Sequence, residues 1–371
     1  MATLGYLAFL LSLISEPVQR ALIYLHPLRL PFGTDFSKPE LVGFAPGKVL
    51  PFNLTTRDGA TLGAWQVLPR DVYDKAVMME QGDEAGDLQE GPLPLSVFDD
   101  TLADPNRPTV LYFHGNAATR AASNRVRTAR HLTDLGANFL IIDYRGFADS
   151  SRSPPPSEEG LLVDARTAWD WLQVEKGVEA ERIAIMGQSL GTGVSAGLAG
   201  RLAKEGITPK AVILVAPFSS IAALLETYKL GNFIPLLSPL RIIPGLLDSV
   251  LRLLRTRFDT RGVIETIRAP ILILHAHNDP VIPLSHSRTL TDHLLAPLLS
   301  DLSETAGEGG RDRKRLVSEY KAGGWGVVSR FERKDGFGEV IWAEALKGAH
   351  NEIGTHEYSI ELVRRMLFPK P

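Results

Sequence analysis

Residues 181–202 constrain the fold of this chain more than any other stretch. An apolar run at residues 183–186 ends in glycines and passes into small residues, a pattern that predicts a strand, a sharp turn and a helix. Ser189 lies at the turn, inside the sequence Gly187-Gln188-Ser189-Leu190-Gly191, which has the pattern of a nucleophile elbow. The two glycines fit this pattern, because a Cβ at either position would collide with neighbouring backbone. The pattern predicts that Ser189 is a nucleophile, with an ordinary N-cap serine as the alternative.

A second match to the elbow pattern, Gly193-Val194-Ser195-Ala196-Gly197, lies inside the predicted helix. Ser195 would be more than one turn into that helix, where no strained corner presents its hydroxyl. We therefore expect Ser195 to be a packing residue. The glycines around it are poor helix formers, which indicates that this helix packs closely on the sheet.

The composition excludes several classes of function. A net charge of −3 and a pI near 6.3 provide no basic surface for nucleic acid. The chain has no cysteine, so disulfides, thiolate catalysis and cysteine-ligated metals are excluded. His114, His275 and His277 lack the spacing of zinc ligands, and we expect neither a metal nor another cofactor.

The N-terminus is apolar, since residues 1–15 carry no charged side chain. A helix of that length covers about 22 Å, which is short of the hydrocarbon core of a bilayer. We expect residues 1–32 to form a membrane anchor or an in-plane helix, the alternative being a packed N-terminal helix. On this expectation, removal of residues 1 to about 30 leaves the chemistry of the domain at residues 41–371 intact.

Apolar strands and helical patterns alternate through the middle of the chain, which predicts a mostly parallel, doubly wound α/β sheet. A tight turn at residues 57–59 also predicts an antiparallel hairpin at residues 49–68. Three segments interrupt the alternation. We interpret them as an acidic loop insertion at 71–107, a lid or cap at 221–267 and an exposed loop insertion at 297–337.

A serine nucleophile needs a base, and the base needs a group that orients it. In this class of fold the acid and the base follow the serine in the sequence, at the ends of later strands. Asp279 comes directly after an apolar strand at 271–275, and His350 lies between the last strand and the last helix. We predict that Asp279 and His350 are the partners of Ser189, in preference to the competitors His275, His277, His286, His293 and His356.

The oxyanion of an acyl-transfer reaction needs two preorganised backbone donors. One predicted donor is the amide of Leu190, which follows the nucleophile. The other is the amide of Asn116, in the loop after the strand at 109–113, where Gly115 lets the backbone turn inward.

The lid segment 244–258 begins with proline and spaces its apolar residues at three and four, which predicts an amphipathic helix. Leu247, Val250, Leu251 and Leu254 would form its apolar face. Arg252, Arg255 and Arg257 would lie opposite or beside that face. They are candidates for binding anionic lipid, either bilayer headgroups or a substrate phosphate, with solvated lid arginines as the alternative.

Four segments together resemble the α/β-hydrolase domain-containing protein 12 family: YFHGNA (112–117), DYRGFADS (143–150), GQSLGTGV (187–194) and LHAHNDPVIP (274–283). The resemblance extends from about residue 21 to the C-terminus. It implies an α/β-hydrolase fold with a helical lid and the triad Ser189, Asp279 and His350.

The same resemblance implies a membrane-bound serine hydrolase of the endoplasmic reticulum. Its substrates would be monoacylglycerols and lysophospholipids, notably lysophosphatidylserine. Two alternatives stay open: an amidase or peptidase that uses the same triad, and a non-catalytic binding protein that keeps the fold. The sequence does not indicate an oligomeric state.

Overall fold

A ten-stranded sheet organises the chain. The computed structural model describes residues 15–81, 91–227, 229–230, 234–235, 237–242, 244–303 and 309–369. The strands of the sheet are β1 (Val49–Thr55), β2 (Thr61–Val67), β3 (Thr109–Phe113), β4 (Asn138–Ile142), β5 (Ile183–Gln188), β6 (Ala211–Val215), β9 (Ile271–Ala276), β10 (Ser318–Ala322), β11 (Gly326–Glu332) and β12 (Glu339–Ala345). Their spatial order is β1-β2-β4-β3-β5-β6-β9-β12-β11-β10.

The six central strands, from β4 to β12 in spatial order, are parallel, and antiparallel strands flank them on both sides. The parallel strands β3, β4, β5, β6 and β9 are buried along their whole length. Apolar clusters cover both faces of the sheet, as expected where helices pack on each side. The parallel, doubly wound arrangement predicted from the alternating pattern is confirmed.

The helices are α1 (Glu16–Tyr24), α2 (Arg70–Gln81), α3 (Leu95–Ala103), α4 (Ser123–Asp134), α5 (Glu158–Asp170), α6 (Leu190–Lys204), α7 (Ile221–Thr227), α8 (Leu246–Arg252), α9 (Thr260–Ile264), α10 (Ser285–Ser303), α11 (Gly309–Leu316), α12 (Ala349–Glu352) and α13 (Glu357–Leu367). A π-helical turn, Trp171–Glu175, continues α5. A small separate sheet in the lid pairs β7 (Lys229–Leu230) with β8 (Ile234–Pro235).

The acidic segment 71–107 is not a loop throughout. Helix α2 begins just before it and α3 lies inside it, while residues 82–90 lie outside the described residues. Phe98 and Leu93 are buried against Leu68 in a small apolar cluster. Asp71, Asp74 and Asp100 of these helices are exposed, and the frequency of acids in the sequence hid the apolar spacing of the helices.

The segment 297–337 is also more regular than predicted. Helix α10 continues through Pro297 to Ser303, and β10 and β11 form a hairpin at the edge of the sheet. Val328 and Phe331 of β11 are both buried, on opposite faces of the sheet, and Gly323 has the positive φ that a tight turn needs. The exposed-loop interpretation was wrong here because the strand alternation is short and is interrupted by charges.

The lid helix is shorter than predicted. Helix α8 ends at Arg252, not near Phe258. The residues after it bond to other elements: Gln19 of α1 binds the Leu253 carbonyl and the Arg255 amide, and Glu158 of α5 accepts from the Arg257 amide. Because of these tertiary contacts, the helix does not continue as the apolar spacing predicts. Leu247, Val250 and Leu251 pack in a small cluster of their own, whereas Leu254 packs against the main core.

The C-terminal helix α13 begins at Glu357. His356 is its N-cap residue rather than part of the helix. The short helix α12 and a 3-10 turn, Ile353–Thr355, precede it.

The N-terminal segment packs on the domain from residue 16 onward. The side chains of Tyr24 and Gln19 are buried, which corresponds to the packed-helix alternative for this part of the chain. Four apolar side chains in the segment stay exposed: Leu22, Leu28, Leu30 and Phe32. The apolar run at residues 1–14 lies outside the described residues. Among those that are described, no helix is long and apolar enough to cross a membrane.

Candidate active site

Ser189 occupies a strained corner between β5 and α6. Its backbone has φ 53° and ψ −120°, in a region that non-glycine residues rarely adopt and that costs about 1–3 kcal/mol. A Cβ at Gly187 would collide with the Gly191 carbonyl, and a Cβ at Gly191 would collide with the Phe113 carbonyl. The strand and the helix therefore pass as closely as the elbow pattern predicted.

Ser195 lies on the buried side of α6, with no exposed surface. Its hydroxyl would touch a Cβ placed at Gly187, so it fills the space between the helix and β5. Among the described residues no group forms a hydrogen bond with its Oγ. Ser195 is thus a packing residue, as the sequence context indicated.

The structure brings Ser189, His350 and Asp279 together in one hydrogen-bonded chain. His350 Nδ1 is 2.8 Å from Asp279 Oδ2, and His350 Nε2 is 2.9 Å from Ser189 Oγ. A carboxylate can only accept, so Nδ1–H donates to Asp279 and the neutral imidazole presents Nε2 as an acceptor to the serine hydroxyl. His350 is therefore oriented to remove the proton of Ser189.

The Asp279 side chain has no exposed surface. Burial alone would raise the pKa of this carboxyl group. Hydrogen bonds from His275, His350 and the Ile282 amide outweigh burial and hold the pKa of Asp279 well below its usual value. The amides of Val281 and Ile282 donate to Oδ1 at 2.8 and 2.9 Å. Asp279 therefore stays ionised and orients the imidazole without taking its proton.

Two residues outside the predicted triad hold the histidine loop in place. Gln188 donates to the His350 carbonyl at 3.2 Å and to the Asn351 side chain at 3.1 Å. Asn278 accepts from the Ala349 amide at 3.0 Å. Sequence reasoning missed both roles, although each residue directly precedes a triad member, which places it at the same strand end.

Of the competing histidines, His275 also contacts the triad. Its Nε2 lies 2.9 Å from the Ile282 carbonyl and 3.4 Å from Asp279 Oδ2, and its ring is fully buried. His275, at the end of its strand, therefore contacts the carboxylate of Asp279 in addition to His350. His277 binds Glu344, and His293 lies beside Glu265.

His286, in the first turn of α10, is buried against Ser219 and helix α7. Its Nδ1 accepts from the Ser219 amide at 3.3 Å, and its Nε2 is 2.9 Å from Thr227 Oγ1. Burial, with a smaller contribution from the charge of His275, lowers the pKa of His286 to about 4. His286 is a neutral structural residue at neutral pH.

The loop after β3 lies against the nucleophile. A Cβ placed on Gly115 would be 3.2 Å from Ser189 Cβ, so the neighbouring Asn116 amide is close to the reacting centre. The Asn116 side chain points away and donates to the Ile23 carbonyl. Within the described residues no group accepts from the Asn116 amide. Leu190 is the first residue of α6, and its amide has no partner four residues earlier in that helix.

The three lid arginines are exposed, and within the described part of the chain none bonds to a triad side chain. The Arg252 guanidinium donates to Ser249 Oγ at 3.0 Å. Arg255 and Arg257 follow α8 and are exposed, between the buried residues Thr256 and Phe258. The structure does not place these arginines in contact with the nucleophile.

Comparison with known proteins identifies the family of this chain. A family model described as "Serine aminopeptidase, S33" matches residues 104–246. Human protein ABHD12B is 33% identical over 277 residues, covering 74% of this chain and 69% of its own length. The chain belongs to the ABHD12 family. Members of this family include the rat lysophosphatidylserine lipase ABHD12, 32% identical over 74% of this chain and 63% of its own length.

The zebrafish lysophosphatidylserine lipase ABHD12 is 30% identical over 75% of this chain and 67% of its own length. Among solved structures, an alpha-beta hydrolase from Vibrio vulnificus superposes with a TM-score of 0.53 at 19% identity, covering 76% of this chain and 84% of that one. That likeness shows the fold alone. Family membership and fold together make this chain a serine hydrolase of the α/β-hydrolase fold.

Proposed function

We propose that this ABHD12-family protein hydrolyses carboxylic esters of lipids, specifically monoacylglycerols or lysophospholipids such as lysophosphatidylserine. The hydrogen-bonded chain from Ser189 through His350 to Asp279 is the observation that carries this proposal. The printed names of the rat and zebrafish relatives support lysophosphatidylserine as the first substrate to test.

In the proposed mechanism, His350 Nε2 takes the proton of Ser189 as Oγ attacks the ester carbonyl. The oxyanion that forms accepts hydrogen bonds from the amides of Asn116 and Leu190. His350 returns the proton to the leaving alcohol, which leaves the fatty acyl group on Ser189. Water then attacks the acyl-enzyme with the same base, and the products are a free fatty acid and the regenerated serine.

The test is a panel of four substrates with the purified protein: lysophosphatidylserine, lysophosphatidylcholine, a monoacylglycerol and an aminoacyl amide. Ser189→Ala should abolish hydrolysis and labelling by a fluorophosphonate, whereas the matched variant Ser195→Ala should retain both. Preferential cleavage of the amide would support the peptidase alternative. Labelling lost only in Ser195→Ala would overturn the assignment of the nucleophile.

We also propose that the protein works at a membrane, in the endoplasmic reticulum. The uncharged residues 1–15 and the exposed apolar side chains of Leu22, Leu28, Leu30 and Phe32 support membrane association, and the family resemblance supports the compartment. The full chain should float with phosphatidylcholine vesicles, and a chain lacking residues 1–14 should float less. Equal recovery of both in the soluble fraction would contradict the proposal. Imaging of a tagged chain tests the compartment.

Arg252, Arg255 and Arg257 are proposed to contact the phosphate of a lysophospholipid, because exposed guanidinium groups can bind phosphate bidentately. If one arginine contributes about 1.4 kcal/mol to the transition state, its replacement by Gln should lower kcat/KM for lysophosphatidylserine about tenfold. A neutral monoacylglycerol should be cleaved as before. Measurement in neutral detergent micelles removes bilayer attraction, and equal losses on both substrates would rule out headgroup recognition.

A further inference from the structure

The side chain of Arg125 is buried beneath the loop that follows β3. Its Nη2 donates to the carbonyls of Gly115 and Ala117 at 3.1 and 2.8 Å and lies 3.4 Å from the Asn116 carbonyl. Its Nη1 donates to the Thr119 carbonyl at 2.8 Å. One guanidinium group from α4 therefore binds the carbonyls of four residues in this loop.

Arg125 differs from the buried arginines on either side of the loop. Arg120 pairs with Asp143 and Asp149, and Arg145 pairs with Asp58 and Asp164. Among the described residues no carboxylate pairs with Arg125. Burial of a cation without a directly paired carboxylate is costly, so the four carbonyl oxygens must compensate for the lost hydration.

The opposite side of the loop is held by the N-terminal segment. The amides of Ala117, Ala118 and Thr119 donate to the carbonyls of Tyr24, Leu28 and Leu30 at 3.0, 2.6 and 3.0 Å. Carbonyl groups of the loop therefore accept hydrogen bonds from Arg125, and amide groups of the loop donate hydrogen bonds to the N-terminal segment. The Asn116 amide is the exception, since no described group accepts from it.

The planarity of the peptide bond links Arg125 to that amide. In a trans peptide the carbonyl and the following N–H point in opposite directions. Arg125 and His114 Nδ1, 3.1 and 2.7 Å from the Gly115 oxygen, fix this carbonyl on the buried side. The Asn116 N–H must then point away from Arg125, in a stretch of backbone that lies next to Ser189, since a Cβ on Gly115 would be 3.2 Å from Ser189 Cβ. The positive charge behind the peptide also polarises its N–H.

We propose that Arg125 is the positioning residue of the oxyanion hole and that it acts through the Gly115–Asn116 peptide. This inference rests on the proposed ester hydrolysis. It extends that proposal by assigning a residue that does not touch substrate to the stabilisation of the transition state. Loss of Arg125 should lower kcat rather than raise KM, because the oxyanion is present in the transition state and not in the bound ester.

Arg182 offers a matched control within the same chain. Its guanidinium also binds backbone carbonyls, those of Leu102, Asp104 and Arg107. Burial lowers the pKa of Arg182, as it does that of Arg125. The carbonyls that Arg182 binds belong to the connection before β3, at the opposite end of that strand from Gly115. Loss of either arginine removes the same kind of structural support.

The experiment compares Arg125→Met, Arg125→Lys and Arg182→Met with the wild type on a soluble p-nitrophenyl ester, at a temperature where each is folded by circular dichroism. Arg125→Met should lower kcat by about 10²-fold with KM changed less than about threefold. Affinity for a trifluoromethyl ketone transition-state analogue should fall in parallel. Arg125→Lys should lose less, because an ammonium group still binds some of the carbonyls, and Arg182→Met should keep kcat within about twofold.

The inference is overturned if Arg125→Met loses no more kcat than Arg182→Met, or if its loss lies in KM while analogue affinity is unchanged. Should Arg125→Met not fold, the comparison uses Arg125→Lys, for which a loss of about tenfold in kcat is expected and wild-type kcat overturns the inference. The proposed function is tested separately. If the wild type cleaves no ester, or if Ser189→Ala is as active as the wild type, the proposed function is wrong, whatever the Arg125 variants show.

Discussion

Removal of the N-terminal segment should inactivate the enzyme even on soluble esters. Residues 16–30 are not an appendage, because α1 and the turn after it contact both the lid and the loop that carries Asn116. This reverses the expectation, drawn from the apolar sequence, that the segment can be removed without chemical consequence. The informative pair of truncations removes residues 1–14 or residues 1–31.

The expected magnitude follows from the bonds between the segment and the loop. Five hydrogen bonds join them: the amides of Ala117, Ala118 and Thr119, the Thr119 hydroxyl and the Asn116 side chain all donate to carbonyls of residues 23–30. At about 1 kcal/mol each, they contribute about 5 kcal/mol to the order of the loop. A misplaced oxyanion donor costs about 10²–10³ in kcat.

The assay is hydrolysis of a soluble p-nitrophenyl ester without lipid, together with the rate of fluorophosphonate labelling and thermal unfolding. The chain lacking residues 1–14 should keep kcat/KM within about threefold of the wild type. The chain lacking residues 1–31 should lose about 10²-fold or more. A matched variant, Gln19→Leu, breaks the contact with Leu253 and Arg255 but leaves the five loop bonds, and it should retain activity. A folded chain without residues 1–31 that keeps its kcat/KM would refute the reasoning.

Three further outcomes are expected. Asp279→Asn should lower kcat about 10⁴-fold with little change in thermal stability, because the amide no longer holds Nδ1–H of His350 in the required tautomer; the check is single-turnover kinetics. His350→Ala should be nearly inactive while His356→Ala, at the start of α13, stays active, and the reverse result would mean that the wrong histidine has been assigned. The pKa of His286 is about 4 in the folded chain, against an ordinary 6.5. Between these values the unfolded chain takes up a proton at His286 and the folded chain does not. The stability that neutral His286 contributes is therefore present above pH 6.5 and is lost as the pH falls to 4. Urea titrations should show a loss of about 3 kcal/mol over that range, and His286→Gln should flatten it.

Much of the central sheet could be predicted because its signals are local. Most of the parallel strands are short runs that consist largely of apolar residues, such as β6. Gly187 is required by a steric contact with Gly191, two residues after Ser189. The acid and the base could be placed because they follow the last two parallel strands, whose ends meet at one edge of the sheet. The geometry of hydrogen bonds between Ser189, His350 and Asp279 depends on that shared edge.

The remaining features depend on contacts between residues far apart in the sequence. Arg255 bonds to Gln19, 236 positions away, and this bond replaces the helical conformation that the lid sequence favours. The role of Arg125 could not be predicted from the sequence either, because an arginine that is buried against carbonyl groups looks the same in a sequence as an exposed one. Hairpin β10–β11 was missed because an edge strand with one solvated face carries charges among its apolar residues.

The motif at 143–150 shows how a sequence can resemble a catalytic family at residues that do no chemistry. It follows β4, at the same edge of the sheet as the triad, and its side chains Asp143 and Arg145 are buried there. Both oxygens of Asp143 accept from the Arg120 amide, and Oδ1 lies 3.1 Å from Nε2 of His114. The Tyr144 hydroxyl donates to the His114 carbonyl at 3.0 Å. Each contact fixes one end of the loop at residues 114–120, whose middle holds Asn116. The motif therefore acts through the loop that carries Asn116, as Arg125 does. Both help to determine where the Asn116 amide lies.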